Sequence, residues 1–194
     1  MISAIVLGAG LSTRMGSVNK LLMKIDNVPI IEIVIKNIVK SNINEIILVY
    51  RDNEVCEIGQ KYGIKSIFNE QAYLGQSTSI IKGLEIINKC SDGYLFIPGD
   101  MPFIKSENID MLINYFMNNK NNIVIPTYNG VNGSPVIFPS YLHEQFLKLE
   151  GDSGGKPVII NNQDIVSKLE IGDNSGYDID TMEDYILAVG GLNE

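Results

Sequence analysis

The sequence predicts an α/β fold with a mostly parallel β-sheet that contains an antiparallel excursion. In the first two thirds of the chain, short β-rich runs alternate with stretches of helical periodicity, as is typical of parallel sheets. At residues 122–138, by contrast, two strand-like runs are joined through an Asn/Gly-rich turn, which indicates antiparallel pairing. A length of 194 residues and a hydrophobic content of 45% fit one domain with a sizeable core.

The elements of the first half follow from local hydrophobic patterns. The opening run ISAIVL is apolar enough for a buried strand, whereas PIIEIVIKNIVKS has its apolar residues on one helical stripe. Pro29 fits the first turn of that helix, where a missing N–H costs nothing. The predicted elements are a strand at 2–7, a helix at 29–41, strands at 45–51 and 64–69, a helix at 77–89, and a strand at 94–102 that runs into a loop.

The second half has its own start signals. Ser106 is the expected N-cap of a helix, and Thr181 with Asp184 has the spacing of a reciprocal capping motif. No repeat or linker interrupts the chain, so residues 1–194 are predicted to form a single domain. Its later elements are a helix at 106–117, two strands within 122–138, a helix at 139–149, a loop or tight helix start at GDSGGKP, a strand at 165–171 and a helix at 177–189.

The charge and hydropathy patterns exclude several functional classes. The net charge of −8, from 23 acidic and 15 basic residues, argues against a nucleic-acid-binding protein, which needs a broad basic face. No apolar run has membrane-spanning length, and no basic leader precedes Ile2, so we expect no membrane partner and no secretory signal.

The cysteine and histidine content points to a reducing environment without histidine chemistry. Cys56 and Cys90 are far apart, and neither lies near a histidine or another cysteine at metal-ligand spacing. Two isolated thiols favour a cytoplasmic location. His143 is the only histidine, which disfavours a His-rich metal site or a Ser-His-Asp relay.

The stretch IVLGAGLSTRMGSVNK is a candidate phosphate-binding turn. It does not fit the P-loop pattern, because Lys20 follows Asn19 and precedes Leu21. It fits the dinucleotide pattern poorly, because the third glycine of that pattern falls on Thr13. The looser pattern L-G-A-G-x-x-x-R-M-G-x-x-x-K remains, in which glycines allow backbone N–H groups to turn toward a base and phosphates.

Two cations complete this turn. Arg14 would clamp phosphate oxygens with its planar guanidinium, and Lys20 would place a point charge at the α-phosphate. The alternative is an ordinary strand–helix turn with solvated cations. The combination of Gly8, Gly10 and Gly16 with both cations, directly after the first strand, favours the phosphate site.

A pair of distant aspartates is the candidate Mg²⁺ site. Asp100 follows the predicted strand in FIPGDMP, at the sheet edge where open α/β proteins bind ligands. Asp180 precedes the last helix in YDIDT, with Asp178 as the alternative second ligand. One or two carboxylates, completed by substrate phosphates and water, form a usual Mg²⁺ shell. The structural alternatives are a turn residue after Gly99 and a helix cap beside Thr181.

The motifs LGAGLSTRMG, GQSTSIIKGL, GDMPF, NGSPVIF, GDSGGKPVI and DIDTMEDY occur in this order along almost the whole chain. In this combination the sequence resembles the nucleotidyltransferases of molybdenum-cofactor maturation, and the cytidylyltransferase branch more closely than the guanylyltransferase branch. The resemblance implies a three-layer Rossmann-like fold, Mg²⁺ dependence, and transfer of CMP from CTP to the phosphate of molybdopterin with release of pyrophosphate. It also implies a molybdenum hydroxylase as recipient of the product.

The resemblance also implies roles for individual positions. Residues 1–105 would form the nucleotide-binding half and residues 106–194 the acceptor-binding half, with the NGSPVIF and GDSGGK segments facing the pterin. The base and ribose would contact Leu7, Gly8, Ala9, Gly10, Gln76 and Ser77, the phosphates Arg14 and Lys20, and the metal Asp100 and Asp180.

The chain departs from the family pattern at two places. Gly8 stands where the family has alanine, and Gly155 with Lys156 replaces an Ala-Arg pair, which affects the expected acceptor more than the chemistry. The guanylyltransferase of the same pathway, a sugar- or polyol-phosphate nucleotidyltransferase, a nucleotide-sugar glycosyltransferase and a non-catalytic cofactor-delivery protein therefore remain as alternatives.

Overall fold

The computed structural model of the chain describes residues 1–12, 15, 18–172 and 175–190. Ten strands alternate with helices along most of this length. The strands are β1 (Ile2–Gly8), β2 (Lys24–Ile25), β3 (Val28–Pro29), β4 (Glu45–Tyr50), β5 (Lys65–Phe68), β6 (Gly93–Pro98), β7 (Ile123–Tyr128), β8 (Val131–Asn132), β9 (Val136–Pro139) and β10 (Val166–Glu170).

Seven α-helices connect the strands within the described residues, together with short 3₁₀ helices. The 3₁₀ helices that matter for the site are Lys20–Leu22 and Ala72–Leu74. The α-helices are α1 (Ile30–Lys40), α2 (Asn53–Lys61), α3 (Gln76–Glu85), α4 (Ser106–Asn118), α5 (His143–Phe146), α6 (Lys156–Asn161) and α7 (Met182–Gly190).

One eight-stranded sheet runs through the protein in the order β10-β7-β9-β6-β1-β4-β5, with β8 paired to β7. Strand β1 is parallel to both β4 and β6, β4 is parallel to β5, and β10 is parallel to β7. Strand β9 is antiparallel to β6 and β7, and β8 is antiparallel to β7. The predicted mostly parallel sheet with an antiparallel excursion is therefore confirmed.

Helices cover both faces of the sheet, which makes the fold three-layered. On one face, Val6 of β1 packs in a core with residues of α1, α2 and α4, including Ile35. On the other face, Ile5 packs in a second core with residues of α3, α5 and α6, including Ile80 and Phe146. Because successive side chains of a strand point to opposite faces, a strand buried on both sides must be apolar throughout, as ISAIVL is.

The structure differs from the predicted elements in several local features. Helix α2 was not predicted, because only Val55 and Gly59 of its nine residues are buried and its apolar stripe is correspondingly narrow. Pro29 ends β3 and precedes α1, so it is the N-cap and not a first-turn residue. The N-cap of α4 is Lys105, and Ser106 is already helical, with its hydroxyl donating to Glu107.

Three element boundaries also shift. Strand β6 ends at Pro98, and the predicted helix at 139–149 is a 3₁₀ turn, Ser140–Leu142, followed by the single turn α5. Helix α7 begins at Met182, and residues 175–181 before it form no helix or strand. Over the part of the chain that the structure covers, no helix combines the length and apolarity needed to cross a bilayer.

Candidate active site

A cavity of about 630 Å³ lies at the carboxyl ends of the central parallel strands. Strand β1 leads into one wall at residues 9–12, and β6 leads into another at residues 98–100. Residues 72–76, before and at the start of α3, form a third wall. This is the edge of an open α/β sheet at which ligands bind, because loops from adjacent parallel strands converge there.

Lys20 joins the two predicted metal ligands at one end of this cavity. Its ammonium nitrogen lies 2.5 Å from Oδ2 of Asp100 and 2.8 Å from Oδ1 of Asp180. The side chains of Lys20 and Asp100 are 12% and 16% exposed, whereas that of Asp180 is 41% exposed. Folding therefore brings together three of the predicted site residues from positions 20, 100 and 180.

The segment that carries Asp178 and Asp180 is attached directly to the Asp100 loop. The backbone N–H of Ile179 donates to the carbonyl oxygen of Asp100 at 3.0 Å, and the Ile179 side chain is fully buried beside Ile30. With Ile179 fixed in the core, the aspartates on either side of it face the cavity, and both line it.

The predicted capping motif at Thr181 and Asp184 is confirmed, and it extends into the site. The Asp184 N–H donates to the Thr181 hydroxyl at 3.2 Å, and Asp184 Oδ2 accepts from the Thr181 N–H at 2.7 Å. Asp184 also accepts from the N–H of Asp180 at 3.1 Å and from the hydroxyl of Tyr177 at 2.8 Å. The Tyr177 hydroxyl, followed by Thr181 and the backbone donors, lowers the pKa of Asp184 to about 2.

A separate set of contacts positions Lys20. The side-chain carbonyl oxygen of Asn19 accepts from the N–H of Leu21 at 3.1 Å, and the Asn19 amide donates to Asp52. The backbone N–H of Lys20 donates to the Ser12 hydroxyl at 3.2 Å, and the buried Leu21 side chain anchors this turn in the core. The 3₁₀ helix that begins at Lys20 is thus attached, through Ser12, to residues 8–12 at the end of β1, which we call the glycine turn.

The electrostatics of the cluster keep Lys20 charged. Burial alone would lower the pKa of Lys20, but the charges and hydrogen bonds of Asp100 and Asp180 outweigh it and raise that pKa. Burial raises the pKa of Asp178, and the neighbouring charges of Asp100 and Asp180 raise it further.

The donor set fits a divalent cation that substrate oxygens help to coordinate. Asp100 Oδ1 is buried and has no hydrogen-bond partner among the described residues, although its other oxygen is paired with Lys20. In the same residues, no group of three His, Cys, Asp or Glu side chains is arranged to bind a metal ion on its own. Mg²⁺ commonly binds through one or two carboxylates together with phosphate oxygens and water.

On the nucleotide side, four of the predicted residues line the cavity. These are Leu7, Ala9, Gly10 and Gln76. Arg14, the predicted phosphate clamp, lies outside the described residues.

The other two residues predicted to contact the base and ribose, Gly8 and Ser77, do not line the cavity. A Cβ atom on Gly8 would lie 3.0 Å from Leu48 and 3.3 Å from Val55, so this glycine faces the core. Ser77 is buried, and its N–H donates to the Gly151 carbonyl. The alternation of side chains along β1 would have separated Gly8 from Leu7 and Ala9.

The two predicted acceptor segments each contribute one residue to the cavity, Ser134 and Asp152. The loop of Asp152 is attached to the start of α3, where the N–H of Gln76 donates to Asp152 Oδ1 at 3.1 Å. Gly75 has a φ of +110°, and a Cβ atom there would lie 2.3 Å from the backbone of Gly151. Only glycine permits this approach of the two loops.

The pattern analysis did not single out Ser12, Tyr73, Leu74 or Ser79 as individual cavity residues. Ser12 has a positive φ of 53°, which no local pattern indicates. Ser79 could have been found, since it lies one helical turn beyond Gln76 and so shares its face.

A protein-family comparison matches residues 4–166 to the family described as the MobA-like NTP transferase domain. The match covers well over half of the chain and includes the glycine turn, Lys20 and Asp100. The chain belongs to the MobA-like NTP transferase family. It is therefore a nucleotidyltransferase by family.

Two curated relatives show which proteins this family member is similar to. Bifunctional protein GlmU of Acholeplasma laidlawii is 34% identical over 127 residues, which cover 64% of this chain and 27% of that protein. A probable molybdenum cofactor guanylyltransferase of Natranaerobius thermophilus is 33% identical over 132 residues, which cover 66% of this chain and 62% of that protein. The chain thus spans less than two thirds of the length of either relative.

Solved structures confirm the fold of this MobA-like protein over its whole length. A homolog of Mycobacterium tuberculosis Rv0371c from Mycobacterium sp. strain JC1 superposes with a TM-score of 0.87 at 20% identity, covering 99% of this chain and 96% of that one. A nucleotidyl transferase from Methanothermobacter thermautotroptrophicus gives 0.83 at 21% identity, with coverages of 100% and 98%. Rv0371C itself, solved in complex with manganese, gives 0.79 at 18% identity, with coverages of 97% and 98%.

Proposed function

We propose that this protein transfers a nucleoside monophosphate from a nucleoside triphosphate to the phosphate of a molybdopterin-type acceptor. An oxygen of the acceptor phosphate attacks the α-phosphorus, the bond between that phosphorus and the bridging oxygen breaks, and pyrophosphate leaves with the electron pair. The observation that carries the proposal is Lys20 placed between Asp100 and Asp180 at the end of a cavity that begins at the glycine turn.

The reaction brings two anions together, so the site must neutralise charge and align the reactants. It needs no covalent nucleophile, and it needs no general base because the acceptor phosphate is already ionised near neutral pH. A site with aspartates, one lysine and backbone amides is suited to this chemistry, and His143 does not line it.

Asp100 and Asp180 are the residues that we propose hold Mg²⁺, with Asp178 beside them. The buried Oδ1 of Asp100, which accepts no hydrogen bond from the described residues, supports this assignment, and a solved neighbour of the same fold binds manganese. When bound, the ion would neutralise charge on the triphosphate and the attacking phosphate.

The chain's own groups then bind and orient the substrates. Lys20, kept charged by its carboxylate partners, stabilises negative charge on the phosphates, and Arg14 is proposed to share this role. Ala9, Gly10 and Gln76 line the cavity, and we propose that they contact the nucleoside. We propose that residues 1–105 supply most of this nucleotide site.

We propose residues 106–194 as the acceptor half, through Ser134, Asp152 and the Asp178–Asp180 segment. Asp100, Asp152, Asp178 and Asp180 all line the cavity, so its wall is rich in carboxylates. Such a wall accepts hydrogen bonds, so it suits an acceptor whose non-phosphate part carries N–H or O–H donors, as a pterin does.

CTP is the proposed donor, on the sequence resemblance to the cytidylyltransferase branch. GTP is the second candidate, because curated relatives at 32–33% identity are named molybdenum cofactor guanylyltransferases. We further propose a cytoplasmic location, in keeping with the free cysteines 56 and 90, and a molybdenum hydroxylase as recipient.

The test is pyrophosphate release with CTP, GTP, UTP and ATP, each with Mg²⁺ and with or without molybdopterin. Acceptor-dependent release with CTP is expected, and preferential release with GTP would establish the second candidate. Pyrophosphate release that occurs only when a sugar or polyol phosphate replaces molybdopterin would overturn the proposed acceptor. Binding of molybdopterin without turnover of any triphosphate would indicate a delivery protein and overturn the proposal.

A further inference from the structure

Two large apolar side chains project into solvent at the mouth of the cavity. Tyr73 is 68% exposed and Leu74 is 50% exposed, and both line the cavity from the 3₁₀ turn Ala72–Leu74. Leu11, 37% exposed, lines it from the glycine turn. Side chains of this kind in a cavity that also binds charged groups are typical of contacts to a flat, partly apolar ligand.

Hydrogen bonds of the buried Asn69 side chain hold the turn that carries Tyr73. Asn69 is fully buried, and its side-chain amide donates to the hydroxyls of Thr78 and Ser79 at 2.9 and 3.0 Å. Its side-chain carbonyl oxygen accepts from the N–H of Gln71 at 3.0 Å, and Ala72 is buried in the core. A well-anchored turn thus presents Tyr73 outward, where the ring gains little from the protein's own packing.

The location of this turn in the sheet indicates which part of a ligand it meets. Residues 72–74 connect β5 to α3, and α3 packs on β1, β4 and β5. Asp100 and Ser134 belong to loops of β6 and β9, on the other side of β1. A base that lies away from Asp100 and Ser134 would therefore lie on the Tyr73 side of the cavity.

We propose that Tyr73, in a cavity also lined by Leu74 and Leu11, forms a stacking platform for the nucleobase of the bound triphosphate. This inference rests on the proposed function and names a contact that the glycine-turn pattern does not contain. Stacking on an aromatic ring tolerates any base, since every base has a π-face. Tyr73 therefore contributes affinity for the donor and leaves the choice between CTP and GTP to edge contacts.

The sequence offers an unusually direct test, because it contains no tryptophan. In the variant Tyr73→Trp, the single indole would report the platform alone. The matched control is Tyr141→Trp: Tyr141 also lies in a 3₁₀ turn and is 59% exposed, but it is absent from the cavity wall. We expect CTP with Mg²⁺ to quench the indole emission of Tyr73→Trp and to leave the emission of Tyr141→Trp unchanged.

Inorganic tripolyphosphate, which has phosphates but no base, provides the second arm. It should bind to Tyr73→Trp without quenching the indole. Equal quenching by tripolyphosphate, or a response of the same indole to the acceptor alone, would overturn the inference.

Kinetics separate a binding contact from a structural one. Tyr73→Ala should raise the KM for the triphosphate about tenfold, as expected for the loss of one base–aromatic stack, with kcat nearly unchanged. Tyr73→Phe should retain the parent KM, because the ring and not the hydroxyl makes the contact.

The outcomes distinguish this inference from the proposed function. If calorimetry detects no triphosphate binding to the parent protein, both are overturned. If the parent protein binds triphosphate and the emission of Tyr73→Trp does not respond, only the platform is overturned.

Discussion

The two ends of the cavity are built in different ways. The glycine-turn end comes from one short stretch, Leu7 and residues 9–12, which lies at the end of β1 and directly after it. The acidic end consists of side chains from positions 20, 100, 178 and 180, which meet only after folding. We propose that the first end recognises the nucleoside by shape and that the second does the chemistry by charge.

This difference determines how each end responds to change. At the glycine-turn end, a larger side chain would occupy space in the cavity. Substitutions there should therefore change how well the nucleoside fits. The cluster of three carboxylates and one ammonium carries excess negative charge. Removal of Lys20 would leave the carboxylates without their cation, and removal of Asp100 or Asp180 would take away a proposed metal ligand.

The largest effect is expected at the acidic end. Asp100→Ala should lower the rate of pyrophosphate release by at least ~100-fold, as the loss of one charge-stabilising group typically does. Circular dichroism should show a retained fold, because Asp100 lies at the cavity wall. Asp164→Ala, at an exposed position, is the control. An undiminished rate in Asp100→Ala would remove this residue from the mechanism.

The loss of Lys20 should be the next largest effect. Lys20→Ala should weaken triphosphate binding by about thirtyfold, within the range of a hydrogen bond to a charged group. Calorimetry measures this affinity, with Lys24→Ala as the control because Lys24 is exposed and close in sequence. A parent-like affinity in Lys20→Ala would contradict the role of Lys20 in phosphate binding.

At the glycine-turn end, two glycines separate packing from recognition. Gly8→Ala places a methyl group 3.0 Å from Leu48 and from the Val49 carbonyl, so it should destabilise the fold by about 1–2 kcal/mol. Gly10→Ala meets no atom within 4 Å, so its melting temperature should match the parent while triphosphate affinity falls. Paired thermal melts and calorimetry test this, and the reverse pattern would refute the assignment of Gly10 to the ligand side.

The smallest expected effect concerns the cap that orders the Asp178–Asp180 segment. Asp184→Ala should cost ~1 kcal/mol of unfolding free energy at neutral pH, as the loss of a capping side chain does. Since folding lowers the pKa of Asp184 to about 2, its contribution is complete above about pH 4 and is lost as pH falls through 2. The difference between parent and variant should therefore shrink during acid titration.

The control for the cap is Glu183→Ala, which removes an exposed carboxylate from the same helical turn. A stability difference for Asp184→Ala that is constant from pH 5 to pH 2 would show that the cap is not the cause.

The sequence predicted where the glycine-turn end lies, but it did not predict which of its residues face the cavity. A strand followed by glycines indicates a ligand-binding edge, and Leu7, Ala9 and Gly10 do line the cavity. Gly8 faces the core, because alternate residues of β1 point to opposite faces, and the motif as a string of letters does not encode that alternation.

At the acidic end, the sequence identified the residues but not their arrangement. Asp100 and Asp180 stood out by their places beside a strand and a helix. The approach of Asp180 to Lys20 is supported by the Ile179 N–H bond to Asp100, which joins segments nearly eighty positions apart. The close approach of Gly75 to Gly151 was equally hidden, since it depends on long-range loop packing.

The most direct test of the account is the Mg²⁺ dependence of triphosphate binding in the parent protein and in Asp100→Asn/Asp180→Asn. We predict that Mg²⁺ tightens binding to the parent by at least about tenfold, equivalent to about 1.4 kcal/mol, and has little effect on the double variant. Asp164→Asn should behave like the parent. An equal Mg²⁺ enhancement in the double variant would contradict the assignment of these two carboxylates to the metal.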